Sequence, residues 1–251
     1  MFNGWLTKDW TQGDLNAVVK NLGEERARRI QAGEKFELTF PADKTPVDST
    51  PTIIVRKPNK HAILWRAFYE HDFSKLVAKY PADFDFSKVE IPSAPREYGV
   101  IQFMPRRGIL SDEIVLTGGV VPYKISYRWG NNMDTAIDHD FGRDRLDSAY
   151  AVRYRFNVEA DEDMKNMSAR EIAEKEINTL TFRERAGAGR FWMWHKNIIL
   201  DRRTFTLCAG SRSSGGRVPG LDWGGGGVVV DWRGLDDAGD CLRGRQAVSV
   251  F

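Results

Sequence analysis

From about Phe205 to Phe251 the chain reads FTLCAGSRSSGGRVPGLDWGGGGVVVDWRGLDDAGDCLRGRQAVSVF, and this stretch constrains the fold more than any other. About half of the chain's 23 glycines lie in it. It contains no Lys, Asn, Glu or Tyr, although all four are common upstream, where the last of each are Lys196, Asn197, Glu184 and Tyr154. Ordinary solvent-facing loops do not lack all four, so the composition needs a cause. Leu221-Asp-Trp223 and Val228-Val-Val-Asp-Trp232 are strand-like pieces that flank Gly224–Gly227, and the tetraglycine reads as a hairpin tip. No Lys-Ser/Thr follows it, so it is not a phosphate-binding loop.

The stretch divides into two classes of residue. Arg217, Val218, Pro219, Trp223, Val228, Val230, Trp232, Leu242, Arg245 and Ala247–Val250 have the character of framework: apolar at strand period, two Trp and a turn Pro. Between them stand small or polar residues: Ser213, Ser214, Gly220, Asp222, Gly224, Gly225, Gly226, Asp231, Arg233, Gly234, Asp236, Asp237, Asp240, Cys241 and Gly244. Over the whole chain, the 251 residues are 41% hydrophobic and 29% charged, with a formal net charge of +2. Both signs are interspersed, which gives no electrostatic case for nucleic acid or an anionic membrane. No apolar run is long enough to span a bilayer. MFNGWLTKDW lacks the basic and apolar regions of a secretory signal. Two cysteines, Cys208 and Cys241, have no metal-ligand spacing; they read as one buried and one loop thiol, with a disulfide as the alternative.

Upstream, Thr11–Leu22 and Glu24–Ala32 read as a helical hairpin. Its second helix carries mixed charge, which favours a structural role over recognition of a DNA groove. Short extended pieces broken by prolines follow from Phe36 to Asn59. His61–Tyr80 is helical by pattern, its His71-Asp72 a solvated or capping pair. Pro81–Pro105 reads as a loop or linker. Glu113–Thr117, Lys124–Trp129 and Ala149–Phe156 have the period-2 signature of strands. Asp138-His139-Asp140 with Asp144 reads as loop turns rather than a metal site. Ser168–Glu171 and Thr181–Glu184 are capping boxes that open two helices. Phe182, Phe191, Trp192 and Trp194 supply apolar surface to the second, Gly187 and Gly189 weaken it and allow either a kink or the close approach of another backbone, and His195 caps its end. Ile198–Leu200 and Thr204–Cys208 read as buried strands. The expected class is α+β, with residues 1–105 as an N-terminal helical and mixed region and 106–251 as a second domain. Among all these residues no constellation of catalytic groups stands out.

The segments GSRSSGGRVP, VVVDW and LRGRQAVSVF, with the intervening Trp, resemble the variable region of the target proteins of diversity-generating retroelements. WTQGDLNAVVKNLG resembles the opening of bacterial proteins with such C-termini. The likeness covers roughly the last 45 residues well and the preceding 60 loosely. It implies a C-type lectin fold of small antiparallel sheets with two helices. It also implies a non-catalytic role in which the interspersed residues above are the ligand-binding variable positions, with no metal and no cofactor. In that family the template carries mostly AAC or AAT codons at variable sites. Randomising their adenines gives Gly, Ser, Asp, Arg and Cys, but never Lys, Glu, Gln or Trp. The interspersed set obeys this rule, and Trp223, Trp232 and Gln246 fall to framework. The implied partner is a protein or glycan at a shallow, acidic face without aromatic anchors, with a homo-oligomer as a further option. A cytoplasmic location is expected, with surface display by an unrecognised route as the alternative. Two other functions stay open: an oxidase resembling formylglycine-generating enzymes, which would need Cys208 and Cys241 to converge, and a calcium-dependent sugar lectin. The Glu-Pro-Asn or Gln-Pro-Asp signature of the latter is missing at Val218-Pro219-Gly220.

Overall fold

The computed structural model describes residues 59–249 apart from Asn131, Gly142 and 144–146. The helical hairpin and the proline-broken pieces expected before Asn59 lie outside the described residues, as does Asp144. The described residues are α+β: helices and three sheets, two of them small and one of five strands.

Two helices come first, α1 (Lys60–Asp72) and α2 (Ser74–Lys79). The single helix expected over His61–Tyr80 is therefore broken, at Phe73, whose φ of −130° leaves the helical region. A 3₁₀ turn at Pro81–Phe84 leads to strand β1 (Val100–Met104), so the expected linker contributes regular structure. Next come α3 (Asp112–Thr117), β2 (Ile125–Arg128), α4 (Met133–Ala136), β3 (His139–Asp140) and β4 (Tyr150–Tyr154). Glu113–Thr117, expected as a strand, is thus helical. Ser111 caps it by accepting from the Ile114 N–H, and Asp112 and Glu113 sit in the positive first turn.

Both capping boxes form. Ser168 with Glu171 opens α5 (Ala169–Glu174), and Thr181 with Glu184 opens α6 (Phe182–Lys196). Asn197, left-handed at φ 53°, ends α6 by donating to the Trp192 and Met193 carbonyls. His195 is therefore not the cap; burial first, and Lys196 second, pull its pKa below the ordinary value. Ile198–Leu200 is an unpaired connection rather than a strand. The remaining strands are β5 (Phe205–Leu207), β6 (Ser211–Arg212), β7 (Val218–Gly224), β8 (Gly227–Arg233), β9 (Leu242–Arg243) and β10 (Ala247–Val248).

Strand order is β1-β4-β10 in one sheet, β2-β8-β7-β5-β9 in the second, and β3-β6 in the third. The second sheet is mixed, not purely antiparallel, because β2 runs parallel to β8 and β9 parallel to β5. Helix α6 packs against both larger sheets and against α1 and α3. Its Phe191 stacks on Trp65 at 4.0 Å between ring centres, within a core that includes Phe68, Phe103, Val152, Leu221 and Val230. The expected boundary at residue 105 lies inside the compact unit Arg56–Phe251, since β1 pairs along its length with β4.

The central helix is held by charge as much as by apolar contact. Arg183, Arg185 and Arg190 are all buried. Arg190 donates from Nε to Asp72 at 2.6 Å, so Asp72 is a buried ion-pair partner and not a solvated residue. Arg185 and Arg245 both pair with Asp201, at 2.7 and 2.5 Å. Arg183 donates to the Leu110 carbonyl and to Tyr150 Oη, each at 3.0 Å. Breaking such a pair from one side strands a buried charge and costs about 3–5 kcal/mol. The glycines of α6 make room for side chains instead of backbone: a Cβ on Gly189 would lie 2.5 Å from Tyr123 Oη, and one on Gly187 would lie 3.2 Å from Gln102 Nε2.

Candidate functional site

Strands β7 and β8 form a hairpin whose register is unbroken from Val218↔Arg233 to Gly224↔Gly227. Successive side chains of a strand point to opposite faces, so residues opposite each other in the ladder share a face. Pro219, Leu221 and Trp223 lie with Trp232, Val230 and Val228 on the inner face, against α6. Gly220, Asp222 and Gly224 lie with Asp231, Val229 and Gly227 on the outer face, which also carries Val218 and Arg233. Every inner-face residue except Leu221 had been assigned from sequence to framework. Five interspersed positions, Gly220, Asp222, Gly224, Asp231 and Arg233, share the outer one. A void of about 10 Å³ under the inner face, lined by residues that include Tyr123, Arg185, Trp223 and Val228, holds no more than one water.

At the tip, Gly225 (φ 58°) and Gly226 (φ 79°) are both left-handed, the geometry of a two-residue type I′ turn. A Cβ on Gly226 would meet nothing within 4 Å. Gly227 differs, because a Cβ there would stand 2.3 Å from the Lys124 carbonyl of the segment entering β2. It belongs with framework.

The other interspersed residues occupy loops. Ser213 and Ser214 are in the β6–β7 turn, where Ser213 Oγ accepts from the Arg217 N–H at 3.1 Å. Gly234, Asp236, Asp237, Asp240 and Cys241 are in the β8–β9 connection; all but Gly234 are exposed. Two positions depart from expectation. Gly220 is buried, and a Cβ on it would fall 2.0 Å from the Phe205 ring and 2.6 Å from the Thr206 carbonyl. Gly244 is buried, and a Cβ on it would lie 2.6 Å from Met164 Cε. A side chain at Gly220 would run into a packed ring and a backbone carbonyl, so Gly220 leaves the candidate set; at Gly244 the nearest atoms are the flexible end of Met164, so it stays.

Part of the outer face is covered. Leu207 and Val218 are sealed by Met164, Ala169 and Ile172 in a second small core, with Leu235 packed against it. The open part comprises the far half of β7, β8 and β2. On it Asp222 is half-buried, and burial first, then Asp201, raises its pKa above the ordinary value. Asp231 pairs with Arg233 at 3.1 Å, and the Arg233 guanidinium lies 4.9 Å from the centre of the Phe205 ring. Arg212 is buried beneath Phe141 and donates to the Ala209 and Ser211 carbonyls.

Sequence reasoning missed two aromatic members of this surface. Tyr127 aligns with Val229 and so shares its face, and Trp129 follows two residues later with its N–H on the Val230 carbonyl. Their relative exposures are 52% and 51%. The signal was the Tyr-x-Trp alternation in the expected strand Lys124–Trp129, which lies outside the glycine-rich stretch.

The remaining sequence candidates do not assemble into chemistry. Asp140 is buried and accepts from Ser211 Oγ at 2.5 Å, which ties the start of the glycine-rich stretch to β3. Among the described residues no group of three or more His, Cys, Asp or Glu is placed to hold a metal ion. Cys208 is buried, with its thiol pushed well above the usual range chiefly by that burial; Cys241 is exposed, and both are free. No helix among the described residues is long and apolar enough to cross a membrane. Comparison with known proteins returns no match: no protein family, no curated protein and no solved structure.

Proposed function

We infer that the chain is a non-catalytic ligand-binding protein whose glycine-rich end forms a diversified surface on a C-type lectin fold, of the kind produced by diversity-generating retroelements. One observation supports this reading: all five interspersed residues of the β7–β8 hairpin strands share one face, while the framework residues Pro219, Trp223, Val228, Val230 and Trp232 share the other, Val218 and Gly227 being the framework positions on the outer side. A surface that accepts many side chains cannot also supply the core. Here Pro219, Trp223, Val228, Val230 and Trp232 supply it from behind, while Asp222, Gly224, Asp231 and Arg233 lie in front. The turn at Gly225-Gly226 stands at the tip of the hairpin, and Asp236, Asp237, Asp240 and Cys241 are exposed in the β8–β9 connection.

The DNA flanking the gene tests it. A near-repeat of the 3′ end, differing only at adenines and lying beside a reverse transcriptase gene, is expected. Its template should carry AAC or AAT at Asp222, Gly224, Gly225, Gly226 and Asp231, but not at Gly220 or Gly227, where a Cβ would run into a backbone carbonyl. A single copy of the 3′ end with no reverse transcriptase gene nearby would refute the reading.

A further inference from the structure

Most of the aspartates that make this surface acidic in sequence are already engaged. Asp236 takes 2.5 and 3.1 Å hydrogen bonds from Arg170. Asp237 accepts from the Gly234 N–H at 2.7 Å. Asp231 pairs with Arg233, and Asp240 stands 3.9 Å from Lys165 Nζ. Asp222 is half-buried, with one carboxylate oxygen lacking a hydrogen-bond partner; an exposed charge without an ionic partner stands at the edge of this face, and it is positive. Arg217, exposed just before β7, lies 4.7 Å from the centre of the Trp129 ring and donates from Nη2 to the Trp232 carbonyl at 3.2 Å. Among the described residues it has no carboxylate partner. Stacking and the carbonyl bond fix its plane while leaving the other guanidinium N–H groups open to a carboxylate. Beside it, Trp129 and Tyr127 offer half-exposed rings next to Val229.

We propose that Tyr127, Trp129 and Arg217 form a fixed anchoring shelf of this face, and that the shelf takes a segment of a protein partner in which a carboxylate stands beside an apolar or aromatic side chain. The proposal rests on the reading of the face as a ligand-binding surface. Trp, Tyr and Arg are the side chains that carry most of the energy in protein–protein contacts. A guanidinium held in place before binding loses less freedom on contact than a mobile one. Its positive charge calls for an anion, and the flanking rings call for apolar area. Trp129 and Tyr127 lie outside the glycine-rich stretch and Arg217 is framework, so the shelf does not change while Asp222, Gly224 and Asp231 do. Anchoring would come from the fixed shelf and selectivity from the varied positions.

The test pans a displayed library of random linear peptides on the full chain and probes a panel of immobilised oligosaccharides in parallel. The selected peptides should carry Asp or Glu next to Phe, Trp or Leu. Trp129→Ala and Arg217→Ala should each weaken their binding by about tenfold or more. Arg217→Glu, at an exposed site that leaves the core intact, should turn the selection towards Lys- and Arg-bearing peptides. Peptides that tolerate all three variants but are lost with Asp222→Ala or Asp231→Ala would overturn the shelf and leave the binding face standing. Peptides indifferent to all five variants would overturn both. Retention of oligosaccharides instead of peptides, or of neither, would overturn the acidic protein partner.

Discussion

A Cβ on Gly220 would collide with the Phe205 ring and the Thr206 carbonyl, whereas one on Gly226 would project into open space. Gly220→Ser should therefore lower the free energy of unfolding by about 1–3 kcal/mol, as overpacking does. Gly226→Asn should stay within about 0.5 kcal/mol, because Asn tolerates the left-handed backbone at φ 79°. Urea denaturation of the two variants checks the contrast, and equal losses would contradict the assignment of Gly220 to the framework. Composition cannot separate these glycines, since each is a small residue standing between apolar ones. What separates them is a ring from β5, brought alongside by pairing of Leu207 with Gly220. The same limit hid Arg183, Arg185 and Arg190. In sequence, charged residues on a helix read as a solvated face, and their partners lie outside it: Asp72 on α1 for Arg190, Asp201 in a loop for Arg185, and Leu110 and Tyr150 for Arg183.

At the scale of elements, local chemistry was legible and long-range pairing was not. Both capping boxes are visible as Ser or Thr followed three residues later by Glu, and both form in full. Thr181→Ala should cost about 1 kcal/mol, since it leaves the Glu184 N–H without its acceptor inside a buried helix end. Thermal unfolding monitored by circular dichroism reads this, and Thr181→Ser should restore most of the loss. The hairpin and its face alternation were legible too, because period 2 and a glycine tip are local signals. Glu113–Thr117 was misread because its apolar residues fit a strand as readily as a helix over so short a run, and the cap at Ser111 decides the matter. The parallel pairing of β2 with β8 left no mark in sequence. Placing Tyr127 and Trp129 on the candidate surface depends on that pairing alone.

Across the whole molecule, stability responds to pH through buried carboxylates shifted in opposite directions. Burial, with Asp140 nearby, raises Asp112 from 3.8 to about 7, against the pull of Arg107 and Arg183. Between those values the folded state holds a proton that the unfolded state has released. Asp112 therefore favours the native state less and less as pH rises from about 4 to 7, by at most about 1.4 kcal/mol per pH unit. Asp201 is shifted the other way: burial opposes the shift, but Arg245, Arg185 and Thr206 outweigh it and hold the carboxyl below 3.8. Its contribution is present above that value and is lost as pH falls through the lower folded one. Asp112→Asn should remove the decline between pH 4 and 7 in urea midpoints, and an unchanged profile would show that Asp112 does not titrate there. The buried ion pairs also bear on the order of folding. Arg190 and Asp72 are 118 residues apart, and Arg245 and Asp201 are 44 apart. Until distant parts of the chain meet, those guanidinium groups stay hydrated and α6 cannot enter the core. The rate-limiting step must then close large loops before the helix is rewarded, so this chain should fold more slowly than a helical bundle of similar stability.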